Sequence, residues 1–207
     1  MLESHFTPER LFKEYTSIDI PQIPGLPKTF LENGTKLVLR NARKDEDYRL
    51  YEMLVEAAEK GEGFSVHEYP SIDSMRLEMF ANSYTALVEE ETTNLLIGFL
   101  IFHNAAMSRR GKGKVCDETV IVSTELRGKG FGSSLNSMAR LVRTVLGYEI
   151  VLREAFHNNT RMLKLWKHDA VSVCGVLPRS AFQKGVGWVD LVLSVLELDK
   201  RHVTAAE

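Results

Sequence analysis

Six consecutive residues, Arg127-Gly128-Lys129-Gly130-Phe131-Gly132, have the types and spacing to hold an anion. Glycine at every second position leaves main-chain N–H groups uncovered, so a guest can lie directly on the backbone. Arg127 and Lys129 add two full positive charges. The guest that suits this chemistry is a phosphate or a diphosphate. A Walker loop needs G-x-x-x-x-G-K-[ST], and that string is absent. The dinucleotide fingerprint needs a third glycine where Ser133 stands. The pattern that remains is R-x-x-G-x-G, carried by Arg127, Gly130 and Gly132.

The flanking residues supply the elements that such a loop needs. Thr119-Val120-Ile121-Val122 is a β-branched run and predicts a buried strand. Ser133 to Leu146 carries a helical face in Leu135, Met138, Val142 and Val145, continued back to Phe131, and Gly147 marks its stop. In the order strand, glycine turn, helix, the helix dipole adds partial positive charge where the uncovered amides converge.

The other elements follow from periodicity and breakers. Residues 1–35 carry Pro21, Pro24 and Pro27 and are expected to form an arm, strapped over the surface of the domain behind it. Lys36 to Arg40 predicts a first strand. Asp45 to Lys60 predicts a helix with Tyr48, Tyr51, Leu54, Val55 and Ala58 on one face. Ser71 to Asn82 predicts a second helix, capped by Ser71. Tyr84 to Val88, Leu95 to Phe102 and Val115 to Val122 predict an antiparallel meander. Glu149 to Glu154 follows a helical crossover and should lie parallel to its neighbour. Asn159 to His168 predicts a last helix, with Asn158 or Asn159 as cap. Val171 to Val176 and Trp188 to Leu198 close the sheet. The fold class is thus α/β, a seven-stranded mixed sheet flanked by four helices over residues 36–200, with 201–207 as a tail.

Composition narrows the function classes. The chain has 207 residues and a formal net charge of −2, so no global basic field attracts nucleic acid or a membrane. Arg109 to Lys114 is a local basic tip, and a charged hairpin end explains it more simply than RNA binding. Two cysteines, Cys116 and Cys174, are too few for a disulfide scaffold and suit a reducing compartment. Residues 1–20 hold no apolar leader core, and no apolar run is long enough to span a bilayer. A cytoplasmic location is expected, with the nucleus as the alternative. No metal site is expected.

The R-x-x-G-x-G pattern resembles the acyl-coenzyme A loop of the GNAT superfamily of N-acetyltransferases. The element order resembles that fold over about residues 36–199. The resemblance implies a partly splayed sheet, with acetyl-CoA as cofactor. Its diphosphate would lie on Arg127, Gly128, Lys129, Gly130, Phe131, Gly132 and Ser133. Its pantetheine arm would lie against the backbone of Val120, Ile121 and Val122, with Val122 as the main partner. Asn159, Leu165 and Trp166 match a helix pattern of the family in which Trp166 stands at a tyrosine that often acts as an acid. Asn158 or Asn159, with Trp166, would face the coenzyme arm or the acceptor. An indole N–H cannot serve as an acid at neutral pH.

A base must take a proton from the attacking amine. Asp117 and Glu118 are the candidates, and adjacent strand residues face opposite ways. Short matches, among them Tyr69-Pro70, Leu146-Gly147-Tyr148 and Val189-Asp190, are similar to fungal acetyltransferases of proline analogues, and that comparison favours Asp117. Phe64, His67, Tyr69 and Arg153 are the candidate acceptor contacts. The expected acceptor is a small-molecule amine or an amino-acid-like compound, taken by a monomer or homodimer. The alternatives are a protein or peptide N-acetyltransferase and a catalytically silent coenzyme A-binding module.

Overall fold

A computed structural model describes residues 20–76, 83–105, 114–169 and 171–198. The basic tip from Arg109 to Gly113, the second half of the expected second helix and the tail 201–207 lie outside the described residues. Eight strands among them form one sheet: β1 (Lys28–Glu32), β2 (Thr35–Asn41), β3 (Ser83–Glu90), β4 (Leu96–Asn104), β5 (Val115–Val122), β6 (Ile150–Phe156), β7 (Ser172–Gln183) and β8 (Gly187–Glu197). Their order across the sheet is β1-β2-β3-β4-β5-β6-β8-β7. Four α-helices flank it: α1 (Asp47–Glu59), α2 (Ile72–Met75), α3 (Phe131–Leu146) and α4 (Thr160–His168).

The extra strand corrects the expected count of seven and lies inside the stretch expected to be an arm. The prolines at 21, 24 and 27 all precede it, so they do not interrupt it. Asn33 and Gly34 both have positive φ, at 50° and 81°, and turn β1 back onto β2 with Glu32 opposite Thr35. An Asn-Gly pair suits that two-residue turn because both central positions need φ > 0.

Strands β3 and β4 are buried along nearly their whole length because helices cover both faces. On one face Leu37, Leu39, Val88, Leu100 and Phe102 pack with Leu135, Met138 and Val142 of α3. On the other, Leu87, Phe99, Ile101 and Ile121 pack with Leu50, Leu54 and Ala57 of α1 and with Met75 of α2. The apolar stripe of α1 is therefore rotated from the expected one: Tyr48 is 57% exposed, while Leu50, Met53 and Ala57 are buried. Ser71 caps α2 by accepting from the Ser74 amide at 3.2 Å, as expected. No helix among the described residues is long and apolar enough to cross a membrane.

Strands β5 and β6 run parallel but pair at only three positions, Val115 with Ile150, Cys116 with Val151 and Asp117 with Leu152. Beyond these the two strands part. Strand β5 stays bonded to β4 as far as Val122, and β6 stays bonded to β8 as far as Phe156. Each therefore turns an unpaired backbone edge into the gap. This is the splay that the sequence reading expects.

Candidate active site

The glycine turn sits at the end of β5. Gly128 and Gly130 take φ of 79° and 93°, the left-handed region that a side chain resists. A Cβ placed at Gly128, Gly130 or Gly132 would meet nothing within 4 Å, so the concave side of the turn is open. Turn bonds engage the Lys129 amide, to Leu126 at 3.3 Å, and the Ser133 amide, to Gly130 at 3.1 Å. The amides of Gly128, Gly130, Phe131 and Gly132 donate to no backbone outside the helix, and a helix's first turn has no partners within it. Free donors with the α3 dipole behind them make the turn suited to an anion such as a phosphate. Lys129 and Ser133 are exposed beside it.

Arg127 behaves differently from its expected part in the cradle. Its Nε donates to the Val122 carbonyl at 3.0 Å, and its guanidinium pairs with Glu62 in the loop after α1. The side chain therefore turns back toward the strand end, and the cradle is main chain.

Between α3 and α4 lies a cavity of about 700 Å³, lined by Ser133, Asn136, Ser137, Arg140, Arg161 and Lys164, with Leu165 and Asp169. Ser133 joins it to the glycine turn. Three cations face one carboxylate there, so the field favours an anionic guest.

The alternation of β5 separates the two carboxylates as expected. Ile121 packs on the α1 side and Cys116 on the α3 side. Asp117 therefore faces α1 and Glu118 faces α3. Glu118 is 8% exposed and is held by Arg153 at 2.8 Å and Arg143 at 3.2 Å. Asp117 pairs with no cation among the described residues. Its carboxyl is pushed above the usual range, first by burial and further by the Glu118 charge, against a lowering main-chain bond from Glu118. Glu154 on β6 shares that face, and its carboxyl is raised by burial and then by the Asp117 charge. Glu154 is exposed and Asp117 half-buried, so that face is open to solvent. Cys116 is fully buried, and burial pushes its thiol up, which makes it a poor nucleophile.

The remaining candidates divide. Asn159 caps α4, its Oδ1 accepting from the Met162 amide at 3.2 Å. Its Nδ2 lies 3.7 Å from where a Cβ on Gly63 would stand, so the α4 cap meets the loop after α1. Asn158 donates to Gln183 at 2.7 Å. His67 stacks near Phe182 at 5.4 Å, and Phe182 meets Trp188 edge-on at 5.6 Å. Phe64 and Tyr69 pack back against Leu54 and Ala58 of α1 around a small void. Trp166 is 3% exposed among Ala155, Val192 and Leu163, and its indole nitrogen has no partner. Arg153, expected at the acceptor, lies on the opposite face from Asp117. Reading from sequence missed Glu62, Glu154, Phe182 and Gln183. Only Glu154 carried a signal, since its place on a strand beside the loop was legible.

The fold is shared with N-acetyltransferases of the GNAT type. A protein thought to be a phosphinothricin N-acetyltransferase aligns with a TM-score of 0.68 at 21% identity, over 79% of this chain and 99% of that one. The yncA protein of Salmonella typhimurium, solved with its cofactor acetyl-CoA, aligns at 0.60 and 19%, over 79% and 95%. The spermidine/spermine N-acetyltransferase SpeG of Vibrio cholerae aligns at 0.61 and 16%, over 78% and 93%. No family model and no curated protein matches the sequence. At these identities the likeness defines the fold, and function rests on the site.

Proposed function

We propose that the protein is an acetyl-CoA-dependent N-acetyltransferase acting on a small cationic amine. The observation that carries this reading is the parting of β5 and β6 after Asp117, with an open, donor-lined glycine turn at the end of β5. The catalytic unit spans the sheet from β1 to β8.

The amides from Gly128 to Gly132 would hold the diphosphate, with Lys129 and Ser133 beside it. The strand edges of β5 and β6 that lack a strand partner, at Val120 to Val122 and beyond Leu152, would hold the extended arm, with the Val122 carbonyl already taken by Arg127 Nε. When bound, the coenzyme supplies the acetyl group as an activated thioester. The chain's own residues do the rest. Strand-edge N–H groups point donors at the place where the acyl oxygen gains charge. Asp117 takes the amine proton, and its raised carboxyl suits a base better than an ordinary aspartate. Trp166 is buried and offers no acid, so the departing thiolate is protonated by water. With an unperturbed thiol pKa of about 8.5, that requirement is mild.

Asp117 and Glu154 face the acceptor side together, and two carboxylates favour a cation over a carboxylate-bearing acceptor. The likeness to a spermidine/spermine acetyltransferase is in keeping with this. Phe182 and Trp188, with His67, would supply the apolar wall. The test is a panel of polyamines, amino acids, azetidine-2-carboxylate and peptide N-termini with acetyl-CoA, read by thiol release. Turnover on diamines or polyamines is expected. Turnover on peptides alone would redirect the reading to a protein acetyltransferase, and coenzyme binding without any turnover to a silent module.

A further inference from the structure

Two neighbouring strands of one sheet tend to close, because each unpaired edge gains by pairing. Something must keep β5 and β6 apart. Glu118 and Arg153 are the first residues past the last paired positions, Asp117 and Leu152. Nε and Nη2 of Arg153 donate to Glu118 Oε1 at 3.1 and 2.8 Å. The pair crosses the gap at its root.

The pair is braced from both helices. Arg143 of α3 sits with Nη1 at 3.2 Å from Glu118 Oε2. Arg153 Nη2 also donates to Asn136 Oδ1 at 2.9 Å, and Asn136 Nδ2 donates to Asp169 Oδ2 at 2.5 Å, just past α4. Arg153 Nη1 lies 3.7 Å from Asp169. Side-chain exposures of Glu118, Arg143, Arg153 and Asp169 are 1%, 0%, 6% and 5%. Two cations and two anions thus tie β5, β6, α3 and the end of α4 into one buried unit. Asn136 and Asp169 also line the cavity between α3 and α4.

This arrangement is a poor device for stability. Arg143 Nε and Nη2 have no partner, although Arg143 is wholly buried. Burying charge costs as much as the pairing returns, and apolar residues of similar volume commonly do as well. What an ion pair offers over an apolar contact is a fixed length and direction.

We propose that the Glu118–Arg153 pair, braced by Arg143, is a spacer that sets the width of the cleft between β5 and β6. Both are positioning residues. The spacing follows from the contacts alone. Its use, threading a coenzyme arm at a set depth, rests on the acetyltransferase reading.

The test replaces the whole cluster, since removing one partner leaves a charge buried. The quadruple variant Glu118→Leu/Arg143→Leu/Arg153→Met/Asp169→Asn should still melt cooperatively. Amide hydrogen exchange over 119–122 and 153–156 should slow by about tenfold or more as the freed edges pair, with β3 and β4 unchanged. Its dissociation constant for coenzyme A should rise by about tenfold or more, because a displaced edge no longer meets the arm. Arg153→Lys keeps the charge and loses the two-pronged contact. It should keep the wild-type melting temperature within a few degrees and weaken coenzyme A binding by about threefold or more. Unchanged exchange at those segments in both variants overturns the spacer. So does coenzyme A affinity within twofold of wild type in both. If wild-type protein does not bind coenzyme A, the acetyltransferase reading fails instead, and the exchange measurement alone decides the spacer.

Discussion

Arg127 Nε donates to the Val122 carbonyl at 3.0 Å, and the same guanidinium reaches Glu62 past the end of α1. The one arginine of the glycine motif therefore ties the end of β5 to the loop after α1. That loop also meets β7, where Gln183 Nε2 donates to the Gly61 carbonyl at 2.7 Å. On the proposed reading, main chain holds the coenzyme and Arg127 anchors the loop that would wall the acceptor. Gly130→Glu should abolish coenzyme A binding, by about a hundredfold or more, since a carboxylate would stand in the anion's place. Arg127→Met should weaken coenzyme binding only by about threefold and raise the acceptor KM more. Calorimetry with coenzyme A and steady-state kinetics separate the two. Loss of coenzyme binding by Arg127→Met equal to that of Gly130→Glu would show that the side chain, not the backbone, holds the diphosphate.

Asp117 is the proposed base, and its neighbour Glu118 is held by two arginines. Asp117→Asn should lower kcat by about a hundredfold and leave the KM for acetyl-CoA within twofold. In wild type, kcat/KM should rise with pH through a value above the ordinary carboxylate range, because burial raises that carboxyl. The asparagine variant should lose that limb. A pH profile with the limb intact in the variant would assign the proton to water or to Glu154.

The same shift sets a slope in stability. Asp117 binds its proton more tightly in the folded chain than in the unfolded one. Its contribution is therefore most favourable at low pH and is lost as pH rises from the unfolded value through the raised folded one. Glu154 acts with the same sign. Asp117→Asn should melt progressively higher than wild type as pH rises from about 4 to about 7. Calorimetric melts at both ends measure this. A constant difference in melting temperature would show that Asp117 is not desolvated.

Much of this site is legible in the sequence because it is local. The glycine loop, its strand and its helix lie within about thirty residues, and alternation alone put Asp117 and Glu118 on opposite faces. The unread parts are long-range. Arg153 and Glu118 are 35 positions apart and meet only because β6 returns parallel to β5. Arg143 sits on α3, one position past the apolar Val142, and nothing in a helical pattern says that an arginine there is wholly buried. Strand β1 was missed for a different reason. Three prolines just upstream mask the strand, although the Asn33-Gly34 turn fixes the hairpin. The rotation of α1 was missed because Tyr48 and Val55 read as apolar, although they stand on the rim of the stripe.

Trp166 stands where an acid was sought, yet its indole is buried without a partner. Trp166→Phe keeps a six-membered aromatic ring and removes an unsatisfied N–H, which partly offsets the lost packing, so stability should fall by less than about 2 kcal/mol. Turnover should stay within twofold. Trp166→Ala should cost about 3–5 kcal/mol by opening a cavity against Ala155 and Val192. Thermal melts and thiol-release assays on both variants check this. A large fall in kcat for Trp166→Phe with an unchanged melt would give the indole a part in the chemistry.

Gly98 lies on β4 opposite Val122, beneath the start of α3. A Cβ built there would stand 2.2 Å from the Ile121 carbonyl oxygen and 2.6 Å from Leu135 Cδ2. The first is main chain and cannot swing aside. The missing side chain is what lets α3 press onto the sheet at the point where the glycine turn leaves β5. Gly98→Ala should therefore destabilise by about 2 kcal/mol, as overpacking does. For a chain of this size that is a fall of about 4–8 °C in melting temperature. The strain relaxes by moving Ile121 and Val122, so coenzyme A affinity should fall with it. Gly130→Ala, whose Cβ meets open space, should cost less and act only through its φ of 93°. A Gly98→Ala protein with a wild-type melt and wild-type coenzyme affinity would mean that α3 does not sit this close to β4 and β5, and the cradle's alignment with the strand gap would lose its support.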